Sequence, residues 1–184
     1  MSDIQTDPID KIDKIDFIAN ISCNINIPSD VLFSSNIYSI IKQLVIKTYE
    51  KKCGPYGYID KIYKLTEYKD NVAVSEELNN NILFNVTFTA KIYNPIKDHI
   101  ILCTITNINK YLITCVNGPL KIIININHIN HINFKLTNNQ LYHIGTEKML
   151  DINDQLYVKI IDSNFYNNDD KIFVYAILQN IKNN

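Results

Sequence analysis

The chain has 184 residues, of which 46% are hydrophobic and 20% charged, with a formal net charge of -1. That is enough apolar material for one ordinary domain or two small ones, and it excludes a strong global field toward nucleic acid or a membrane. All 18 basic residues are lysine, so any phosphate contact must use ammonium point charges in place of planar guanidinium forks.

Residues 1–17 read as a polar, flexible tail with an Ile-Asp-Lys repeat whose isoleucines recur at i and i+3. Ile21, Cys23, Ile25 and Ile27 then alternate with Ser22, Asn24 and Asn26, the pattern of a half-buried strand that Pro28 ends. Ser34, Ser35 and Asn36 offer N-caps to a helix carrying Ile37, Ile40, Ile41, Leu44, Val45 and Thr48 at helical spacing. Lys47, Lys51 and Lys52 sit where the helix dipole favours cations, and Gly54-Pro55 is expected to stop the helix in a left-handed turn.

Tyr56 to Leu65 reads as the next strand, followed by a polar stretch over 66–81 with a weak strand near Val72 to Val74. The cleanest alternation is Ile82, Phe84, Val86, Phe88, Ala90 and Ile92, closed by Pro95.

From Ile100 the pattern becomes a meander. Ile100 to Thr106 is one strand; Tyr111, Ile113 and Cys115 share a face of a second; Gly118-Pro119 turns the chain into a third through Leu120, Ile122, Ile124 and Ile126. Residues 127–153 read as a long polar link. Leu156, Val158 and Ile160 form a fourth strand, Asp162 to Asp170 a loop, and Ile172, Val174, Ala176 and Leu178 a fifth. Such a meander, long link and two final strands are how a five-stranded OB-type barrel is written in sequence. The expected fold is an α+β N-terminal domain over 18–97 followed by an all-β barrel over 98–182, with the boundary near Asn94 to Asp98.

Little in the chain points to catalysis. Only four glycines occur, which excludes most phosphate-cradling loops. His128, His131 and His143 are the best metal candidates, but structural zinc takes four ligands and no cysteine is near in sequence, so solvated loop histidines are the favoured reading. Cys23, Cys53, Cys103 and Cys115 form no CxxC pair, and Cys103 and Cys115 read as small core residues. No cofactor or metal is expected. No signal peptide and no run of about 18 apolar residues is found, which reads as an intracellular protein with reduced thiols and no membrane contact. For a single nucleic-acid strand the candidates are Lys110, Tyr111, Lys121 and Lys159, and such binding would be weak and sequence-tolerant.

The order of these elements resembles the RNA polymerase stalk subunit family, which comprises the seventh subunit of eukaryotic RNA polymerase II and its archaeal counterpart. Four landmarks carry the resemblance over most of residues 18–181. Cys53-Gly54-Pro55-Tyr56-Gly57-Tyr58-Ile59 looks like the family's helix exit and Gly-Tyr strand. Phe84 to Pro95 is similar to its long strand ending in an aromatic-x-Pro turn. Asn109-Lys110 to Val116 with Gly118-Pro119-Leu120 is the third, and Asp154 to Asp162 with Asp170 to Ile177 the fourth.

The resemblance implies a non-catalytic polymerase subunit whose tip domain docks on the core subunits through Gly54, Tyr56, Gly57, Tyr58, Tyr93 and Pro95. It implies an S1-like barrel that meets nascent RNA weakly through Lys110, Tyr111, Lys121 and Lys159. A second stalk subunit is left open as a partner. Two departures stand out: Tyr111-Leu112-Ile113 replaces the family's Gly-aromatic motif, and Ile96-Lys97-Asp98-His99 replaces its small turn after the proline. The abundance of Ile, Asn, Lys and Tyr reads as coding bias of an AT-rich genome, such as that of a large DNA virus. The location would be a viral factory or virion in that case and the nucleus for a cellular parent. The alternative is a free-standing OB-fold protein binding single-stranded RNA, such as a translation factor.

Overall fold

Period-two alternation of apolar residues decides most of this architecture, because a strand with one greasy face must lay that face on something. A computed structural model describes residues 12–28, 36–70, 81–137 and 140–182. The described chain divides into two units: Asp16–Asn94 with Phe165–Lys171, and Pro95–Asn164 with the described residues before Asp16 and from Ile172 on.

The first unit is an antiparallel sheet of β1 (Asp16–Pro28), β2 (Lys52–Gly54), β3 (Gly57–Asp70) and β4 (Asn81–Tyr93), in the order β1-β4-β3-β2, with the helix α1 (Ile37–Tyr49). Register pairs Ile21 with Phe88, Cys23 with Val86 and Ile25 with Phe84 on one face. Ile59, Ile62 and Leu65 join them from β3, and Ile41 and Val45 of α1 close over that layer. Each such burial is worth roughly 1.5–3 kcal/mol. The opposite face is polar and laced across strands: Ser22 Oγ to Thr87 Oγ1 at 2.8 Å, Thr89 Oγ1 to Asn20 Oδ1 at 2.7 Å, and Asn85 Nδ2 to Asn24 Oδ1 at 3.1 Å.

The helix ends earlier than the Gly54-Pro55 stop read from the sequence. It finishes at Tyr49; Glu50 still donates its N–H to the Ile46 carbonyl, and Lys51 is the left-handed residue at φ +62°. The Lys51 N–H then bonds the Ile59 carbonyl at 2.7 Å, so sheet pairing claims the chain before Gly54 is reached. Of the helix-terminal lysines, Lys52 Nζ donates to the Thr48 carbonyl at 3.1 Å. Ser34 and Ser35 lie outside the described residues, as does the expected weak strand at Val72 to Val74; Asn36 is the N-cap. Strand β3 runs five residues past Leu65, because Glu67, Tyr68 and Lys69 keep pairing with β4.

The second unit is a closed barrel of β5 (Ile100–Ile108), β6 (Leu112–Asn117), β7 (Leu120–Asn125), β11 (Gln155–Asn164) and β12 (Ile172–Ile181), ordered β11-β12-β7-β6-β5 and closed by pairing β11 with β5. The β7–β12 pair is parallel; the other four are antiparallel. Ile105, Ile113, Cys115, Ile122, Ile124, Leu156, Val158, Ile172, Val174 and Ala176 fill its interior with essentially no exposure. Closure leaves no free edge. Gly118-Pro119 makes the β6–β7 hairpin, with Gly118 at φ +56°. Asp13, in the stretch read as a tail, donates its N–H to the Ile100 carbonyl and accepts the Ile100 N–H on Oδ2, both at 2.8 Å.

Two local readings change. The link over 127–153 holds a three-stranded sheet of β8 (Phe134–Thr137), β9 (Gln140–His143) and β10 (Lys148–Leu150), after a short 3-10 turn at Ile126–His128. Phe134, Leu141, His143 and Leu150 give it a buried face that the many asparagines around them disguise. Tyr111 does not share the inward face of Ile113 and Cys115. The Asn109 side-chain oxygen accepts both the Tyr111 N–H (2.9 Å) and the Leu112 N–H (3.0 Å), and this turn holds Tyr111 outside β6, 63% exposed.

Candidate functional site

The apolar face of the open sheet is longer than the helix that covers it. Beyond the end of α1 it continues through Ala19, Phe17 and Ile92, and two cavities open there. One of about 200 Å3 is lined by Cys23, Tyr49, Gly54 and Ile59 among others; one of about 260 Å3 by Phe17, Ala19, Ile92 and Asn94. Both are bordered by Ile21, Pro55 and Tyr56, so they form one groove parted by the β2–β3 turn. Tyr56 at its lip is 59% exposed and Phe17 43%. Both pieces lie within the sheet unit.

Local chemistry explains why Tyr56 stands out. Gly57 has φ +122°, and a Cβ there would come within 2.2 Å of the Tyr93 carbonyl oxygen. Only glycine permits that approach, and it lets β3 begin tight against β4 while the residue before it turns outward. In the groove, the Tyr49 hydroxyl donates to the Asn24 carbonyl at 3.4 Å, and burial pushes the pKa of Cys23 and of Tyr49 up, the Tyr49 hydroxyl to about 12. The groove therefore presents neutral, apolar chemistry with no thiolate.

The sequence-predicted docking residues are placed unevenly. Gly54, Tyr56 and Gly57 meet at the groove. Tyr58 is buried and pairs with Tyr93 across β3 and β4. Tyr93 accepts from Lys91 Nζ at 3.2 Å, and Lys91 also reaches Asp16 Oδ2 at 3.3 Å, so these residues build the sheet's polar face. Pro95 is buried in the barrel unit, where its carbonyl accepts from Ser163 Oγ at 3.4 Å. Phe17, exposed at the first turn of β1, escaped the sequence reading; its place two residues before Ala19, on the face of Ile21, was the available signal.

On the barrel the four predicted RNA-side residues do not form one patch. Lys110 lies over the Tyr111 ring at 4.7 Å, at the end of β6 opposite to Val116. Lys121 pairs with Val116, about five residues or roughly 17 Å along that strand. Lys159 is held by Asp98 at 2.9 Å, and this contact pulls the Asp98 carboxyl below its ordinary pKa. Lys121 instead sits over Phe173 at 5.7 Å. Phe173 and Tyr175 were missed. Their alternation with the inward Ile172, Val174 and Ala176 places them on the outer face, where they are 39% and 44% exposed.

The three candidate histidines are separate in role. His128 and His131 are exposed. His143 is buried against Phe134, and its Nδ1 accepts the Thr146 N–H at 3.2 Å and meets Thr146 Oγ1 at 2.8 Å, so the ring proton resides on Nε2. Among the described residues no group of three or more His, Cys, Asp or Glu side chains is placed to hold a metal. No helix among them is long and apolar enough to cross a membrane.

Fold and surface together define a β-rich protein of two units, one an open sheet with an apolar groove and one a closed five-stranded barrel with a lysine-aromatic outer face. Among known proteins, the chain is similar to one from Acanthamoeba polyphaga mimivirus, named "Putative DNA-directed RNA polymerase subunit L376". The two are 25% identical over 158 residues, which cover 86% of this chain and 78% of that protein. No protein-family model matches the chain.

Proposed function

We propose that this chain is a non-catalytic subunit of a DNA-directed RNA polymerase, of the stalk type, encoded by a large DNA virus. The observation that carries the reading is the match to the mimivirus protein: at 86% of the chain it must draw on both units. The β5-β6-β7-β12-β11 order with its one parallel pair is how an OB-type, S1-like barrel closes, which supports the same family.

In this reading the sheet unit, Asp16–Asn94 with Phe165–Lys171, forms the tip domain and the other unit carries the barrel. The tip docks on the polymerase core by burying the groove around Pro55 and Tyr56. An apolar groove with an exposed aromatic at its lip suits this role, since aromatic anchors in desolvated pockets dominate most interfaces. The mechanism is positioning: the tip holds the barrel on the enzyme, and the barrel offers lysines and aromatic rings to the emerging transcript.

The test is capture with a tagged full-length chain from infected cells or virions, with retained proteins identified by mass. The wild type is expected to retain the large catalytic polymerase subunits in roughly equal amount, and Tyr56→Ala combined with Phe17→Ser to lose them, each truncated anchor being worth about 1 kcal/mol or more. Recovery of the wild-type chain alone would sink the reading in favour of a free-standing RNA-binding protein.

A further inference from the structure

We infer that the outer edge of β1 pairs antiparallel with the same strand of a second copy of this chain, about a twofold axis at Ser22, and so joins two four-stranded sheets into one. The inference does not rest on the polymerase reading. It uses the backbone edge of the sheet in place of the apolar groove.

The two edges of the sheet differ. At one end of the order β1-β4-β3-β2, β2 is three residues long. At the other end β1 is 13 residues long, and among the described residues β4 alone pairs with it. A free edge is a template for a further strand, and proteins ordinarily blunt it with lysine, proline, bulges or brevity. From Phe17 to Ile27 β1 carries no charged residue and no proline. Its register with β4 runs unbroken over all 13 pairs, whereas β3 shifts register three times against that same strand. A long, regular and uncharged edge is what strand addition requires.

The side chains of β1 identify the occupant, because the strand is close to its own complement. With the axis at Ser22, Asn20 faces the partner's Asn24, Ile21 the partner's Cys23, Ala19 the partner's Ile25 and Phe17 the partner's Ile27. Polar residues meet polar and apolar meet apolar; Ile18 opposite the partner's Asn26 is the mixed pair. Asp16, the one charge in the strand, falls opposite the partner's Pro28, at the far end from its own symmetry mate. The polar row already holds the matching chemistry. Within the sheet, Asn24 Oδ1 accepts from Asn85 Nδ2 at 3.1 Å and Asn20 Oδ1 accepts from Thr89 Oγ1 at 2.7 Å. Both asparagines keep their own Nδ2 donors for a partner amide. An unrelated strand would find the same backbone edge, but the symmetric match of side chains favours this chain's own.

The test measures the mass of the full-length chain by sedimentation equilibrium up to about 100 μM, where even weak association is populated. The wild type is expected to reach twice the chain's mass. Ser22→Lys sets two lysines face to face on the axis and is expected to weaken the dimer about fivefold, and Ser22→Glu to do the same. An equal mixture of the two variants is expected to recover the dimer, because opposite charges then meet there. Ser22 is exposed and its hydroxyl bonds Thr87 Oγ1 at 2.8 Å on the sheet's polar face, so both variants should keep the wild-type circular dichroism. Tyr56→Ala, at the lip of the groove, is expected to leave the dimer unchanged.

A wild-type chain that stays monomeric throughout would overturn the inference. A dimer that Ser22→Lys leaves intact, or a mixture of the Lys and Glu variants that stays apart, would do the same. Loss of the dimer in Tyr56→Ala but not in Ser22→Lys would move the contact to the groove and overturn it as well. A monomeric wild type whose polymerase capture is lost in Ser22→Lys would give the edge to a polymerase segment. A dimer broken by Ser22→Lys and restored by adding Ser22→Glu, in a chain that captures no polymerase, would uphold the paired edge and remove the polymerase reading instead.

Discussion

The two sheets of this protein solve the same problem differently. The barrel sheet curls until β11 meets β5, so every inward residue faces another and no edge remains. The sheet of β1 to β4 stays open and depends on one helix for cover. A closed sheet hides its whole apolar face. An open one hides only what its helix can reach, and here the face outruns the helix at Phe17, Ala19 and Ile92. That remainder is the groove. The barrel's exposed rings, in contrast, lie on its outer face, where alternation would ordinarily place polar residues.

Large-to-small changes test the comparison most severely. Phe88→Ala removes a fully buried ring packed 5.9 Å from Tyr49, and is expected to cost about 3–5 kcal/mol. Hydrogen exchange should show protection falling in β1, β3 and β4 while β5 to β7 keep theirs. Equal loss in the barrel would mean that the two units unfold as one, and the contrast between them would lose its energetic meaning.

A smaller effect is expected from Gly57→Ala, which forces a side chain into the left-handed region against the Tyr93 carbonyl. Strain of this kind is worth roughly 1–3 kcal/mol. Denaturant titration should show the loss, and polymerase capture should weaken with it, because the turn that presents Tyr56 must shift. Full stability in this variant would show that the hairpin can relax, and would weaken the account of how the groove's lip is set.

The mildest expectation concerns pH. Burial lowers the His143 pKa below its ordinary value, because the charged ring loses water and its Nδ1 already accepts from Thr146. The unfolded chain then binds the proton more readily than the folded one. The contribution of His143 is complete above about pH 6.5, declines as pH falls below that value, and is lost once the folded pKa is passed. Exchange in β8 to β10 measured against pH should show this slope, and His143→Asn, whose side-chain oxygen can take the same Thr146 N–H, should remove it. A slope that persists in the variant would assign it to another group.

Strands with strict alternation were legible from residues alone. Ile21 to Ile27, Ile82 to Ile92, Leu120 to Ile124 and Ile172 to Leu178 are paired strands with the expected faces buried. The sheet at 134–150 was hidden because asparagines and a glycine dilute short strands of three or four residues below the length at which periodicity is readable. The helix end was misplaced for a different reason. Gly54-Pro55 has stop chemistry, but a sheet hydrogen bond from Lys51 ended the helix first. Of the expected docking residues, Gly54, Tyr56 and Gly57 border the groove, while Pro95 lies in the other unit.

By itself the sequence determined which residues are inward and which are outward along each long strand, because a period of two is a local property of an extended backbone. It determined where glycine was indispensable only as composition, through its scarcity. Tertiary structure decided which outward residues become neighbours. Lys121 and Phe173 are 52 positions apart and meet only because β7 and β12 run parallel in register. Phe17 and Tyr56 border one cavity only because β1 and β3 flank the same strand. Register and strand order arise from the balance of many distant contacts, and no window of neighbouring residues contains that information.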